Sequence, residues 1–234
     1  MPVPSPLGSR ATVAALLALT FVTGLIDAVS YLRVGRVFVA NMTGNVVFIG
    51  FSLDPASGLS AVASTVAIAG FVLGALLGGR IAHRLESRTA HWLLIAFGLE
   101  AALTGLVAVL VAVGLLPFEG PGRHVTVVLL AIAMGVQNAT VRHLGVPDLT
   151  TTVLTLTMTG LSADSALGGG PGGRPHRRLA AILAMLAGAG LGALLAQHSA
   201  AAVLGLCAVL VAVVAGAFGS RSARPEVGAE TDRH

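Results

Sequence analysis

Residues 90–116 read AHWLLIAFGLEAALTGLVAVLVAVGLL, an apolar run that contains a single acidic residue, Glu100. At 1.5 Å of rise per helical residue, such a run crosses the ~30 Å hydrocarbon core of a bilayer. A helix of this length that is apolar on every face fits lipid, because a soluble domain would leave part of it against water. The stretch therefore predicts a transmembrane helix.

Five further apolar runs of comparable length occur along the chain, at residues 11–32, 59–82, 125–141, 179–196 and 200–218. The 234 residues are 55% hydrophobic and 10% charged, whereas a soluble domain has about 25% charged residues. This composition excludes a soluble enzyme and a nucleic-acid-binding protein. It predicts one all-α membrane domain, a polytopic helical bundle, over residues 11–219. A cytoplasmic N-terminal tail at 1–10 precedes it, and a polar C-terminal tail at 220–234 follows it.

Two more segments, 38–53 and 149–167, are apolar but carry many Asn, Thr, Ser and Gly residues. The 14 basic residues are all Arg, and they indicate whether these segments cross, because cytoplasmic loops collect positive charge. If both cross, the arginines divide almost evenly between the two sides. If both enter and leave on one side, all arginines share a side except Arg33, Arg36 and Arg123. The second arrangement predicts about six transmembrane helices, two polar re-entrant or half-helix segments, and cytoplasmic termini.

Short matches relate two halves of the chain, at about 11–116 and 122–219. GLIDA at 24–28 is echoed by GVQNA at 135–139, MTG at 42–44 recurs at 158–160, and GALL at 74–77 recurs at 192–195. The order of the matches is the same in both halves. Because each half has three spans, the second half enters the membrane from the opposite side, and the matches predict an inverted repeat.

Asp27 is the first candidate for function, since an ionisable group inside a membrane helix is costly and marks a functional site by default. Tyr31 lies on the same helical face, one turn later. The alternative is that Asp27 is wet at the interface, or that it pairs with Arg33 or Arg36 and serves topology alone.

Polar side chains near the repeat motifs extend this candidate solute or proton site. In the first half they are Asn41, Thr43 and Asn45. In the second half they are Gln137, Asn138, Arg142, Thr152, Thr155 and Thr159. Such residues are tolerated at membrane depth when they are buried in protein or face water. Hydrogen bonds between helices, or from threonine to its own helix backbone, are the alternative interpretation.

Glu100 is either a proton site or a hydrogen-bond partner of Thr104, one turn later. Zinc-protease and hydrolase motifs are absent from the sequence, and the glycine run at 168–173 lacks the Lys-Ser or Lys-Thr of a phosphate-binding loop. Cys207 is the one cysteine, which excludes an intrachain disulfide and a multi-cysteine metal site. We therefore expect no catalytic residues, no cofactor and no metal.

Three motifs resemble the YoaK-like family of bacterial multi-spanning membrane proteins, a domain of unknown function. They are GxxDAxxYL at 24–32, FxANMTGN at 38–45 and MGxQNAxxR at 134–142. The Thr-Gly motif of the second half is matched at 151–152 and 159–160, whereas LSAD at 161–164 departs from the commoner family pattern and leaves the role of Asp164 open. The resemblance implies a bacterial inner-membrane location and brings no assigned biochemical activity.

Polar re-entrant segments in a duplicated helical bundle favour a permease or channel for a small solute. The competing interpretation is a non-transporting structural or sensory membrane component, whose polar residues serve packing alone. The expected partners are membrane lipid and a small solute, with no nucleic acid. The sequence is also compatible with a homo-oligomer.

Overall fold

The computed structural model describes residues 5–118, 120, 122–146, 154–170 and 174–220. This part of the chain consists of helices, turns and loops, without a strand. Its α-helices are α1 Ser9–Val29, α2 Met42–Phe51, α3 Ala61–Arg84, α4 Thr89–Ala112, α5 Arg123–Leu144, α6 Leu154–Ala163, α7 Pro175–Leu195 and α8 Ala200–Gly219. Six of these are long and apolar enough to cross a membrane, and the exceptions are α2 and α6. The predicted all-α polytopic membrane bundle is confirmed.

Helix α1 ends in a wider winding. Its continuation, Ser30–Gly35, is π-helical, a form that is rare and frequently occurs at functional sites. Arg36 then adopts a left-handed backbone conformation, with φ of 55°, and reverses the chain. Residues 36–41 are not helical and lead to the start of α2 at Met42.

The chain between α1 and α3 leaves and returns at the same end of the bundle. The Arg36 side chain reaches Gly58, where a Cβ would lie 3.0 Å from its Nη1. The loop before α3 is therefore back beside the end of α1. Helix α2 has ten residues, which span ~15 Å, about half of the hydrocarbon thickness. Residues 36–60 thus form a half-helix segment that packs on α3 and does not cross.

Helices α1 and α5 run in opposite directions. Gln137 Nε2 on α5 donates to Thr23 Oγ1 on α1 at 2.9 Å. At the end of α1, the side chain of Arg123, the first residue of α5, packs over Gly35. Opposite directions require an even number of crossings between the two helices. Helices α3 and α4 supply that number, which agrees with an α2 that does not cross.

Glycines bring two pairs of helices into backbone contact, α1 with α7 and α3 with α5. A Cβ on Gly74 of α3 would collide with the backbone of Ile132 on α5, and a Cβ on Gly188 of α7 would collide with that of Phe21 on α1. Small residues at such positions let membrane helices approach closely. The facing glycines follow the same pattern: Gly135 lies against Phe71 and Ala75, and Gly24 against Met185 and Ala189.

Helices α4 and α8 pack on each other and join these two pairs. Leu94 of α4 lies against Gly219 at the end of α8, and the rings of Phe97 and Phe218 are 5.7 Å apart. Helix α4 also contacts α5, and α8 also contacts α1. The packing of α1 on α7, α4 on α5 and α2 on α3 therefore has a counterpart in the packing of α5 on α3, α8 on α1 and α6 on α7.

Candidate functional site

The Asp27 carboxylate holds the non-helical segment 36–41 against the last turn of α1. The backbone N–H groups of Val39 and Ala40 each donate to Asp27 Oδ1 at 2.9 Å. Asn41 Nδ2 donates to the other carboxylate oxygen. Asp27 is 4% exposed and lies about two turns inside the helical span Ser9–Gly35. The irregular backbone at Val39 and Ala40 therefore lies beside this apolar helical span and not beyond its end.

Two neighbouring side chains hold the same segment. Asn45, which is fully buried, accepts from Phe38 N–H at 2.9 Å and donates to Phe38 O at 2.6 Å. Ser30 donates to Val37 O at 2.9 Å. Backbone groups that a helix would have satisfied internally thus find side-chain partners, as burial away from water requires.

Aromatic rings cover one side of this segment. The Tyr31 and Phe38 rings stack with centroids 5.2 Å apart, and Phe48 of α2 lies 5.5 Å from Phe38. Tyr31 is half-buried. The structure therefore brings together four of the predicted residues, Asp27, Tyr31, Asn41 and Asn45, around one break in the helices. Thr43 is not among them, because it lies on the exposed face of α2 with Val46 and Val47.

Gln137 connects the two halves at the centre of the bundle. Its Nε2 donates to Thr23, one turn before Asp27, whereas its buried Oε1 has no hydrogen-bond partner within the described residues. The Thr140 hydroxyl, also on α5, is buried and equally without a partner there. Adjacent Asn138 donates to Met134 O at 2.8 Å and is half-buried. Arg142 is exposed at the end of α5, outside this group.

The polar segment of the second half is arranged differently from the predicted face. Thr155 and Thr159 are exposed on α6, and Thr157 between them is buried. Thr152 lies outside the described residues.

Helix α6 packs on α7, where Arg178 forms an ion pair of 2.7 Å with Asp164 and also donates to Gly160 O. The sequence analysis left the role of Asp164 open and did not predict Arg178 as its partner. A cavity of about 190 Å³ lies here, lined by Gly160, Asp164 and Arg178 among others.

Comparison with known proteins places the chain in a family. A family model described as "Protein of unknown function (DUF1275)" matches residues 15–217. The chain belongs to this family. It is also similar to the UPF0700 transmembrane protein YoaK of Bacillus subtilis (strain 168), with 31% identity over 159 residues, which cover 66% of this chain and 67% of the relative. No solved structure matches. These findings confirm the family resemblance that the sequence motifs indicate.

Two of the three motifs that carry the family resemblance build the break in the helices. GxxDAxxYL supplies Asp27 and Tyr31, and FxANMTGN supplies both the held backbone and its partners Asn41 and Asn45. Ser30 and Thr23 complete the group and were not predicted. Thr23 lies one turn before Asp27 on its helix, so the spacing offered a signal. The contact of Ser30 with Val37 depends on the reversal at Arg36, which the spacing does not reveal.

Proposed function

We propose that this protein is a permease or channel for a small solute, located in the bacterial inner membrane with both termini cytoplasmic. The observation that carries the proposal is the non-helical segment 36–41 at the depth of Asp27. Irregular backbone within a membrane occurs only where it is buried in protein or lines a water-filled cavity. Transporters use such broken helices because they offer free backbone groups and half-helix ends to a solute.

The helix contacts of one half match those of the other half, which supports an inverted repeat as part of this proposal. In inverted-repeat transporters the solute site lies near the bilayer midplane, where the repeats meet. Thr23 and Gln137 stand on the first helix of each half and are hydrogen-bonded to each other. The unpartnered Gln137 Oε1 then provides an acceptor for a solute or for water at that junction. Asp27 lies one turn after Thr23, and Asn138 is next to Gln137. The two residues occupy matching positions in GLIDA and GVQNA.

The competing proposal is a structural or sensory component that moves no solute. It is favoured by the Asp27 carboxylate, because all three hydrogen bonds described above go to the chain's own segment. In that case the polar residues serve to fold residues 36–45 against α1. The two proposals differ in whether water ever reaches the junction of Thr23 and Gln137.

Cysteine accessibility separates them without knowledge of the solute. In a Cys207→Ala background, Thr23→Cys places a small thiol at the junction, and Ala212→Cys places one on the exposed face of α8, towards lipid. A permanently charged methanethiosulfonate reagent, which does not cross membranes, is added to each side of membrane vesicles. We expect modification at position 23 and none at position 212.

The outcome is decided by comparison with protein unfolded in detergent, in which both thiols react. If position 23 is protected from both sides in membranes and reacts only after unfolding, no water route passes the junction. That result contradicts the permease and channel proposal and supports the structural one.

A further inference from the structure

Glu100 lies in the middle of α4, and none of the hydrogen bonds described above involves it. Its side chain is fully buried, and neither carboxylate oxygen has a hydrogen-bond partner within the described part of the chain. Thr104, one turn later, is also fully buried and its hydroxyl is also without a partner there. The hydrogen bond between them that the sequence offered as an alternative is thus not formed.

Among the residues that the structure describes, none forms an ion pair or a hydrogen bond with Glu100. Helix α4 packs on α8, α5 and α3. On α8 the one titratable side chain is the buried thiol of Cys207. The other charged or titratable side chains of these helices and of the turn before α4 lie in their end turns: Arg80, His83, Arg84, Glu86, Arg88, His91, Arg123, His124, Arg142 and His143.

An ionised carboxylate without a partner is far more costly in such a place than a neutral acid. A leucine would fill a similar volume without that cost. Because Glu100 makes no hydrogen bond here, it does not stabilise the packing of the helices through its polar atoms. Its chemistry, and not its contacts, is what Glu100 contributes. The chemistry that a carboxyl adds to a glutamine or leucine is the reversible binding of a proton.

We propose that Glu100 is a proton-binding site, neutral in the arrangement of helices that buries it. Uptake of one proton from water converts the carboxylate to the acid, and release returns the proton to water when the bundle opens. Helix α4 belongs to the first half and contacts α5 and α8 of the second, so relative movement of the halves changes the environment of Glu100. On the proposed transport function, which this step presupposes, Glu100 couples proton movement to solute passage.

Infrared spectroscopy of the protein in lipid reads the protonation state directly. The difference between wild type and Glu100→Gln at neutral pH contains either the carbonyl stretch of a carboxylic acid or the stretches of a carboxylate. The proposal expects the acid band, and a carboxylate signal overturns it. Glutamine is neutral and nearly isosteric, so we expect this variant to fold.

If Glu100→Gln does not fold, a hydrophobic carbodiimide tests the wild-type chain. The acid adds across the carbodiimide, its proton moves to a carbodiimide nitrogen, and the acyl group shifts to give an N-acylurea that mass spectrometry locates. An adduct at Glu100 at neutral pH supports the proposal. An adduct at Glu100 that forms at low pH but not at neutral pH contradicts it, because the reagent then reaches a carboxyl that is ionised at neutral pH.

Coupling has its own readout. In proteoliposomes, an imposed pH gradient should change solute flux through wild type, and Glu100→Gln should lose that response. A Glu100→Gln protein that keeps the full response overturns the coupling role. If wild type moves no solute but shows the acid band, the proton site stands and the proposed transport function fails, so the two failures are distinguishable.

Discussion

At the scale of single residues, Asp27 is a partner for backbone. Its Oδ1 accepts two N–H groups, and its Oδ2 accepts the amide of Asn41. Arg33 lies within the π-helical turn and Arg36 directly follows it; both are exposed, and the contacts described for Asp27 go to neither. The interpretation of Asp27 as the partner of an arginine therefore gains no support from the structure.

Replacement of Asp27 should affect stability according to whether an acceptor remains. Asp27→Asn keeps one oxygen for Val39 and Ala40, and Asn41 can rotate its own carbonyl towards the new amide. We expect a loss of about 1 kcal/mol or less. Asp27→Leu leaves two buried N–H groups unsatisfied, at about 1–3 kcal/mol each. Melting temperatures in detergent measure both, with Asp54→Asn at an exposed position as control. Equal losses for the two Asp27 variants would contradict this account.

The same substitution tests function. Asparagine already occupies the matching position, Asn138, so Asp27→Asn should preserve the fold but remove the one ionisable group of the pair. We expect solute flux in proteoliposomes to be abolished or to lose its driving force. Undiminished flux, or recovery of flux when Arg33 or Arg36 is also neutralised, would show that the charge of Asp27 has no role in transport.

At the scale of helices, packing depends on a few glycines and is indifferent to others. On α3, a Cβ at Gly74 meets the Ile132 backbone, whereas a Cβ at Gly79 meets nothing within 4 Å. On α7, Gly188 and Gly190 differ in the same way. The pairs α1 with α7 and α3 with α5 therefore behave as closely packed units whose contact requires small residues at these positions.

These glycines provide a matched comparison within one helix. Gly74→Ala should cost about 1–3 kcal/mol, because backbone cannot yield as a flexible side chain does. Gly79→Ala should be neutral or stabilise by up to about 1 kcal/mol, since alanine favours the helix. Thermal unfolding in detergent reports the difference. If both substitutions shift the melting temperature alike, the α3 and α5 backbones are not in contact.

At the scale of the whole molecule, the helix directions place most arginines at one end. Helices α1 and α5 run in opposite directions, and α2 does not cross. Helix α3 therefore runs back from the end of α1, so that Arg84 at its own end lies at the same end of the bundle as the start of α1. The end that carries Arg36 and Gly58 is the opposite one. With positive charge retained in the cytoplasm, the termini are predicted to be cytoplasmic.

Labelling of intact cells tests this orientation. In a Cys207→Ala background, Arg84→Cys and Arg177→Cys should be protected from an impermeant thiol reagent added outside. Ser57→Cys, half-buried in a turn at the other end whose residues Pro55 and Ala56 are exposed, should react. Modification at position 84 with protection at position 57 would reverse the orientation, and modification at both 84 and 57 would contradict the six-span topology.

The sequence by itself determined the all-α membrane bundle, its six spans and the candidates near the break, because lipid leaves a chain few options. Apolar length fixes a span, and a polar group at depth needs a partner. Asp27, Asn41 and Asn45 could be selected on that ground alone.

Only the tertiary structure decided which polar groups meet. The reversal at Arg36 brings Val39 and Ala40 back to Asp27, and the crossing of α1 with α5 joins Thr23 to Gln137. Helical spacing grouped Thr155 and Thr159 correctly but could not tell that their face is the exposed one. It also could not tell that Glu100 lacks the bond to Thr104. Periodicity orders residues around one helix, whereas hydrogen bonding and isolation depend on the neighbouring helices, whose distance along the chain leaves no local signal.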